Sequence, residues 1–115
     1  MKATLITTAN VDVKTGEVYE KLLDFDIIFD SDIIYKVLCC RSSKKFRSCN
    51  ARIVEYGMYT YLISYNTVIG MLDRHTGTFY DALRVVYGYT ATSAQHISKF
   101  CNDYPVFSIY RYVTE

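Results

Sequence analysis

Residues 87–100 read YGYTATSAQHISKF, and the change of period inside this stretch decides the fold. Up to Thr90, tyrosine and threonine dominate, a composition that suits a half-buried strand. From Thr92 onward the pattern is helical. Thr92 followed by Gln95 has the form of a capping box, in which the hydroxyl accepts from the N3 amide and the glutamine returns to the cap amide. Ile97, Phe100, Cys101 and Tyr104 then make an apolar stripe opposite Gln95, Ser98, Lys99 and Asn102. His96 lies on the border of that stripe, one turn before Phe100. Pro105 stops the helix, and VFSIYRYV (106–113) reads as a closing strand. The expectation is a helix over about 92–104 docked on a sheet.

Upstream, MYTYLISYNTVIGMLD (58–73) predicts two strands with Tyr59, Tyr61, Ile63 and Tyr65 on one face and a turn at Asn66. RHTG then turns the chain into TFYDAL. The pattern D-x-x-T-G-x-x-Y occurs at 12–19 and again at 73–80, each an aspartate opening a turn and a glycine closing it. Nothing around the two copies matches further, so repeated turn chemistry explains them, not duplication. LLDFDIIFD (22–30) alternates Leu23, Phe25, Ile27 and Phe29 with acids and reads as a strand with one acidic face. TLITT (4–8) reads as its partner. SDIIYKVLCC (31–40) fits equally a second helix near 32–40 behind a Ser31 cap or a β-branched strand. RSSKKFRSCN (41–50) reads as an exposed loop. Together these give an α+β fold in a single domain, 1–115: an antiparallel sheet with a helix in the C-terminal half.

The chain has 115 residues, half of them hydrophobic, with twelve tyrosines, six phenylalanines and no tryptophan. Such a composition excludes disorder. The N-terminus lacks the apolar run of a signal peptide, and no stretch is long enough to span a membrane. Four cysteines are therefore expected as buried free thiols in a reducing cytoplasm. Their spacing contains no C-x-x-C, and neither histidine is near Cys39, Cys40 or Cys49, so no metal site is expected.

The net charge of +1 hides a segregation. Residues 1–32 hold seven acids against three lysines, whereas residues 33–54 hold six bases and no acid. Two candidate partner-binding surfaces follow: an acidic one at Asp24, Asp26 and Asp30, and a basic one at Arg41, Lys44, Lys45 and Arg47. The basic segment 41–52 suits phosphate contacts, with Phe46 placed to stack on a base. Its plainer reading is a solvated loop. The acidic face could imitate phosphate for a basic protein groove, or simply keep an edge strand from aggregating. No catalytic set is visible: there is no Gly-rich phosphate loop, H-E-x-x-H or G-x-S-x-G. Cys101 and His96 point about 140° apart on one helix and make a poor nucleophile–base pair. No cofactor is implied. His96 is expected to bond a strand carbonyl or a tyrosine hydroxyl, and His75 to be solvated in a turn.

Ser64, Tyr65, Thr67, Ile69 and Asp73, followed by Tyr89, Thr90, Thr92, Ser93, His96 and Phe100, fit the pattern S-Y-x-T-x-I-x-x-x-D … Y-[ST]-x-T-[ST]-x-x-H-x-x-x-F. Over residues 59–101 the chain thus resembles a family of small uncharacterised proteins of phages and mobile elements of Gram-positive bacteria. The resemblance carries no activity; it implies an accessory protein acting in the host bacterial cytoplasm. Residues 1–50 do not match the pattern. The expected function is non-enzymatic inhibition of a bacterial defence complex, such as a CRISPR nuclease, in the manner of anti-CRISPR proteins. The alternative is a small nucleic-acid-binding module using the basic segment.

Overall fold

The computed structural model describes residues 2–7, 18–19, 25–46, 48–86 and 91–113. Its architecture is α+β, as expected. Among the described residues the strands are β1 (Lys2–Thr7), β2 (Val18–Tyr19), β3 (Lys44–Phe46), β4 (Ser48–Tyr56), β5 (Tyr59–Ser64), β6 (Thr67–Asp73), β7 (Thr78–Asp81) and β8 (Ser108–Val113). They form one sheet in the order β2-β1-β8-β7-β6-β5-β4-β3. The helices are α1 (Phe25–Ile28), α2 (Ser31–Leu38), α3 (Leu83–Val86) and α4 (Ala91–Asp103).

Strands β3 to β7 are a meander of tight antiparallel hairpins. The β5–β6 turn, Tyr65–Asn66, has positive φ at both residues, 50° and 66°, the geometry that matches strand twist in a two-residue hairpin. This pulls Tyr65 out of the alternation expected to keep it beside Tyr59, Tyr61 and Ile63. In the next turn the Asp73 carboxylate accepts from the His75 amide at 2.9 Å, and Gly77 takes φ +73°. The second D-x-x-T-G copy therefore behaves as its chemistry predicts. The first falls, apart from Val18–Tyr19, outside the described residues.

β7 and β8 are parallel, which requires a crossover between them. α3 and α4 supply it. α4 begins at Ala91, one residue ahead of the expected start, so Thr92 lies inside the first turn and is not its cap. α3 precedes it at Leu83–Val86, and the tyrosine-rich strand expected at 87–90 lies outside the described residues.

Three further expectations are corrected. The described part of the 22–30 segment, residues 25–30, is not a strand: Phe25–Ile28 is helical, with the Phe29 amide donating to the Phe25 carbonyl at 2.8 Å. The alternation masked an i, i+3, i+4 set, Phe25, Ile28 and Phe29, whose members all pack against the sheet. Phe25 stacks on Phe29 at 5.0 Å, and both meet the edge of Tyr112. β1, expected to pair with that segment, pairs with β8 and β2 instead. Residues 31–38 are helix, but capped by Asp30 rather than Ser31. Finally, the 41–50 loop contains β3 and the start of β4.

Both faces of the sheet are covered. α4 lies on one, enclosing Phe46, Ile53, Leu62, Leu72, Phe79 and Ile109. α1 and α2 lie on the other, over Val54, Tyr61, Ile63, Val68, Met71 and Tyr112. Phe100 anchors α4, stacked on Tyr104 at 4.4 Å and against Phe79 and Phe46 at 5.2 and 6.0 Å. The Phe79 ring lies so close over Gly70 that a Cβ there would fall inside it.

Candidate functional site

The charged residues singled out from the sequence do not form one surface. Asp24 and Arg47 lie outside the described residues. Asp26 is exposed on α1. Asp30 caps a helix, its carboxylate accepting from the amides of Asp32 at 2.9 Å and Ile33 at 3.2 Å and so satisfying two orphan donors of α2. Arg41 is exposed in the turn after α2, and Lys44 and Lys45 are exposed on β3, at the edge of the sheet. Asp30 and Arg41 thus flank opposite ends of α2, a helix about 12 Å long for its eight residues.

Two parts of the basic segment are committed to the fold. Arg52 donates from Nη2 to the Leu38 carbonyl at 3.2 Å, at the negative end of α2. Phe46, expected to stack on a base, is buried against Phe100. On the short edge strand β3 the ring turns inward after a register shift at Lys45/Phe46, while Lys44 and Lys45 stay exposed, so this segment offers cations without that aromatic platform.

Ser64 and Tyr65 from the first half of the S-Y-x-T pattern and Ser93 and His96 from its second half meet in space. Ser64, at the end of β5, has its Oγ 3.0 Å from Ser93 Oγ and 3.0 Å from His96 Nδ1, both on α4. Among the described contacts, His96 thus meets a serine hydroxyl at the end of β5. Tyr65 lies beside the imidazole at 6.4 Å, and its hydroxyl accepts from Asn50 Nδ2. Burial, with Lys99 adding to it, lowers the His96 pKa, so the ring is neutral at pH 7. A neutral imidazole at this distance from a serine has the spacing of a base and nucleophile. Yet Ser64 is 0% exposed and His96 4%, so the geometry is that of a lock holding α4 to β5.

The thiols are not uniformly buried as expected. Cys39 is exposed and Cys40 partly so; both are free, as is Cys101. The Ser42 side chain, 3.1 Å from Cys40 Sγ, and the Ser42 backbone lower the Cys40 pKa. Burial pushes Cys101 up to about 12, keeping it a thiol. Among the described residues no group of three His, Cys, Asp or Glu could hold a metal, and no helix is long and apolar enough to cross a membrane.

Among the described residues, a cluster of exposed apolar side chains lies at the β4–β5 hairpin. Tyr56, Met58 and Tyr59 are 38, 55 and 40% exposed. Tyr56 pairs with Tyr59 across the strands, and Tyr59 leans on Tyr61 at 6.5 Å. On the same face, Tyr80 stacks on Tyr110 at 5.9 Å. Burial raises the pKa of Tyr61 to about 12 and raises that of Tyr80, so both stay phenols that can donate. Tyrosine content alone signalled such a surface. Which tyrosines reach solvent depended on where α1 and α2 stop covering the sheet. No protein-family model matches the chain, and no curated protein or solved structure matches it either.

Proposed function

We propose that this chain is a non-enzymatic accessory protein of a phage or mobile element that binds and inhibits a bacterial defence complex, such as a CRISPR nuclease, in the host cytoplasm. The observation that carries the protein-binding part is the exposed Tyr56–Met58–Tyr59 cluster. Tyrosine and methionine are enriched in protein interfaces, where a rigid aromatic ring contributes large contact area at little cost in side-chain entropy. The defence-complex part rests on the sequence pattern and small size. Burial of Phe46 weighs against the alternative, a nucleic-acid module, although Arg41, Lys44 and Lys45 remain exposed for phosphate contact.

The test is inhibition of target cleavage by purified CRISPR effector complexes, with co-migration on a sizing column. The wild type should inhibit in proportion to its molar ratio. The double variant Tyr56→Ala, Tyr59→Ala should bind at least about 30-fold more weakly, the loss expected when interface hot spots are truncated. Replacing Arg41, Lys44 and Lys45 with serine should leave inhibition intact. Binding to naked DNA that falls steeply with salt and vanishes in that triple variant, with no capture of any complex, would establish the alternative instead.

A further inference from the structure

The hairpin tyrosines belong to a row that runs across the sheet. Strand register sets Tyr56, Tyr59, Asp73 and Thr78 side by side on β4, β5, β6 and β7. Tyr59 and Asp73 are direct cross-strand partners, which puts their Cβ atoms about 5 Å apart. Tyr80 lies diagonally from Asp73 on the far side, about 7–8 Å away, and is braced by its stacking on Tyr110. The Asp73 carboxylate therefore stands between two tyrosines, both of which reach solvent. Burial, and after it the charge of Asp73, raises the Tyr80 pKa, as a carboxylate near a phenol must.

Among the described residues, Asp73 makes no ion pair. Its Oδ1 accepts from the His75 amide at 2.9 Å, which fixes the side chain and leaves Oδ2 for another donor. Thr78, beside it, is engaged elsewhere, accepting from the Thr76 hydroxyl at 3.0 Å. The neighbouring cation, Arg74, is directed at the β4–β5 hairpin by all three of its nitrogens. Nε donates to the Met58 carbonyl at 3.1 Å, Nη2 donates to the Gly57 carbonyl, and Nη1 lies 3.6 Å from the Glu55 carboxylate.

We infer that this face takes an arginine side chain of a partner protein, its guanidinium flat on the Tyr59 ring and its edge on the Asp73 carboxylate; the inference rests on the reading of the tyrosine cluster as a protein-binding surface. A guanidinium is planar, so it stacks on an aromatic ring while its edge donates to a carboxylate alongside. A ring and a carboxylate at cross-strand spacing offer both contacts at once. An ammonium is a compact, strongly hydrated charge that gains less from the ring. Tyr56, across from Tyr59 and 38% exposed, gives the aliphatic stem of the arginine an apolar surface. The carboxylate also decides against a nucleic-acid strand, since bases stacked on these rings would bring phosphates against Asp73.

The probe is the peptide N-acetyl-Leu-Arg-Leu-amide, with lysine and citrulline versions as controls, titrated against the full chain while tyrosine ring resonances are followed by NMR. The arginine peptide should move the rings of Tyr59 and Tyr80 and saturate in the millimolar range. The lysine version should bind about threefold more weakly and the uncharged citrulline version about tenfold. Asp73→Asn keeps an acceptor for the His75 amide and should weaken binding about fivefold. Tyr59→Phe keeps the ring and should bind as the wild type does, whereas Tyr59→Leu should lose about threefold. The inference is overturned if arginine binds no better than lysine or citrulline, if Asp73→Asn binds as the wild type does, or if Tyr59→Phe and Tyr59→Leu behave alike. It is also overturned if peptide at about 10 mM moves neither ring, or if the rings move with protein concentration alone, which would make the occupant a second copy of this chain. No nuclease enters the measurement. A chain that inhibits a CRISPR complex yet ignores the peptide overturns the arginine inference alone, and one that binds the peptide yet captures no complex overturns the defence-complex reading alone.

Discussion

On one face of the sheet a thirteen-residue helix, α4, buries Ser93, His96, Ile97 and Phe100; on the other, α1 and α2 bury Phe29 and Val37. The α4 face combines an aromatic column around Phe100 with the polar Ser64–Ser93–His96 lock. The α1–α2 face relies on apolar contact through helices of four and eight residues. Helices that short do not hold their shape in isolation, so the sheet beneath them stabilises them as much as they cover it. They also leave Tyr56 and Tyr59 uncovered. Among the described residues, one face of the sheet is therefore closed by a long helix and the other by shorter ones that leave tyrosines exposed.

The sharpest way to break this comparison is to truncate an anchor on each side. Phe100→Ala should cost about 3–5 kcal/mol, the usual loss for a buried phenylalanine. Val37→Ala, under α2, should cost about 2 kcal/mol. Urea denaturation measures both, and a larger loss at Val37 would invert the ranking of the two faces.

The polar lock makes the α4 face sensitive to acid. His96 has a folded pKa below its ordinary value of 6.5 because burial disfavours the imidazolium. Above pH 6.5 both folded and unfolded forms are neutral there, and the contribution to stability is complete. As pH falls from 6.5 toward the folded pKa, the unfolded chain binds a proton that the folded one excludes, so stability is lost. Denaturation midpoints measured at pH 7.5 and at pH 5.5 should differ more for the wild type than for His96→Gln. Equal differences would remove His96 as the cause.

On the α2 side, Asp30→Ala should cost about 1 kcal/mol, because two amides at the helix start lose their acceptor. Asp26→Lys, on the exposed side of α1, should change stability by less than about 0.5 kcal/mol. The smallest effect is expected at Thr92, which is exposed inside the first turn of α4. Thr92→Ala should also stay within about 0.5 kcal/mol, and a loss near 1 kcal/mol would move the cap back to this residue.

By itself the sequence determined what depends on neighbours along the chain. The β5 and β6 strands, the turn closed by Gly77, the α4 stripe of Ile97, Phe100 and Cys101, and the stop before Pro105 all follow from local period and turn chemistry. The α+β class follows from their sum. Tertiary structure decided everything that required two distant segments to meet. Phe25, Ile28 and Phe29 became helix because Tyr112, more than eighty residues later, offers a surface for their shared face, whereas strand alternation would have split them across two faces. Phe46 left the basic surface because Phe100 offered it a core. Ser64 met His96, and Asp81 met Arg111, across separations of 32 and 30 residues. No local pattern encodes such pairs, because burial makes a polar group seek whatever partner the packing of sheet and helix brings within hydrogen-bond distance.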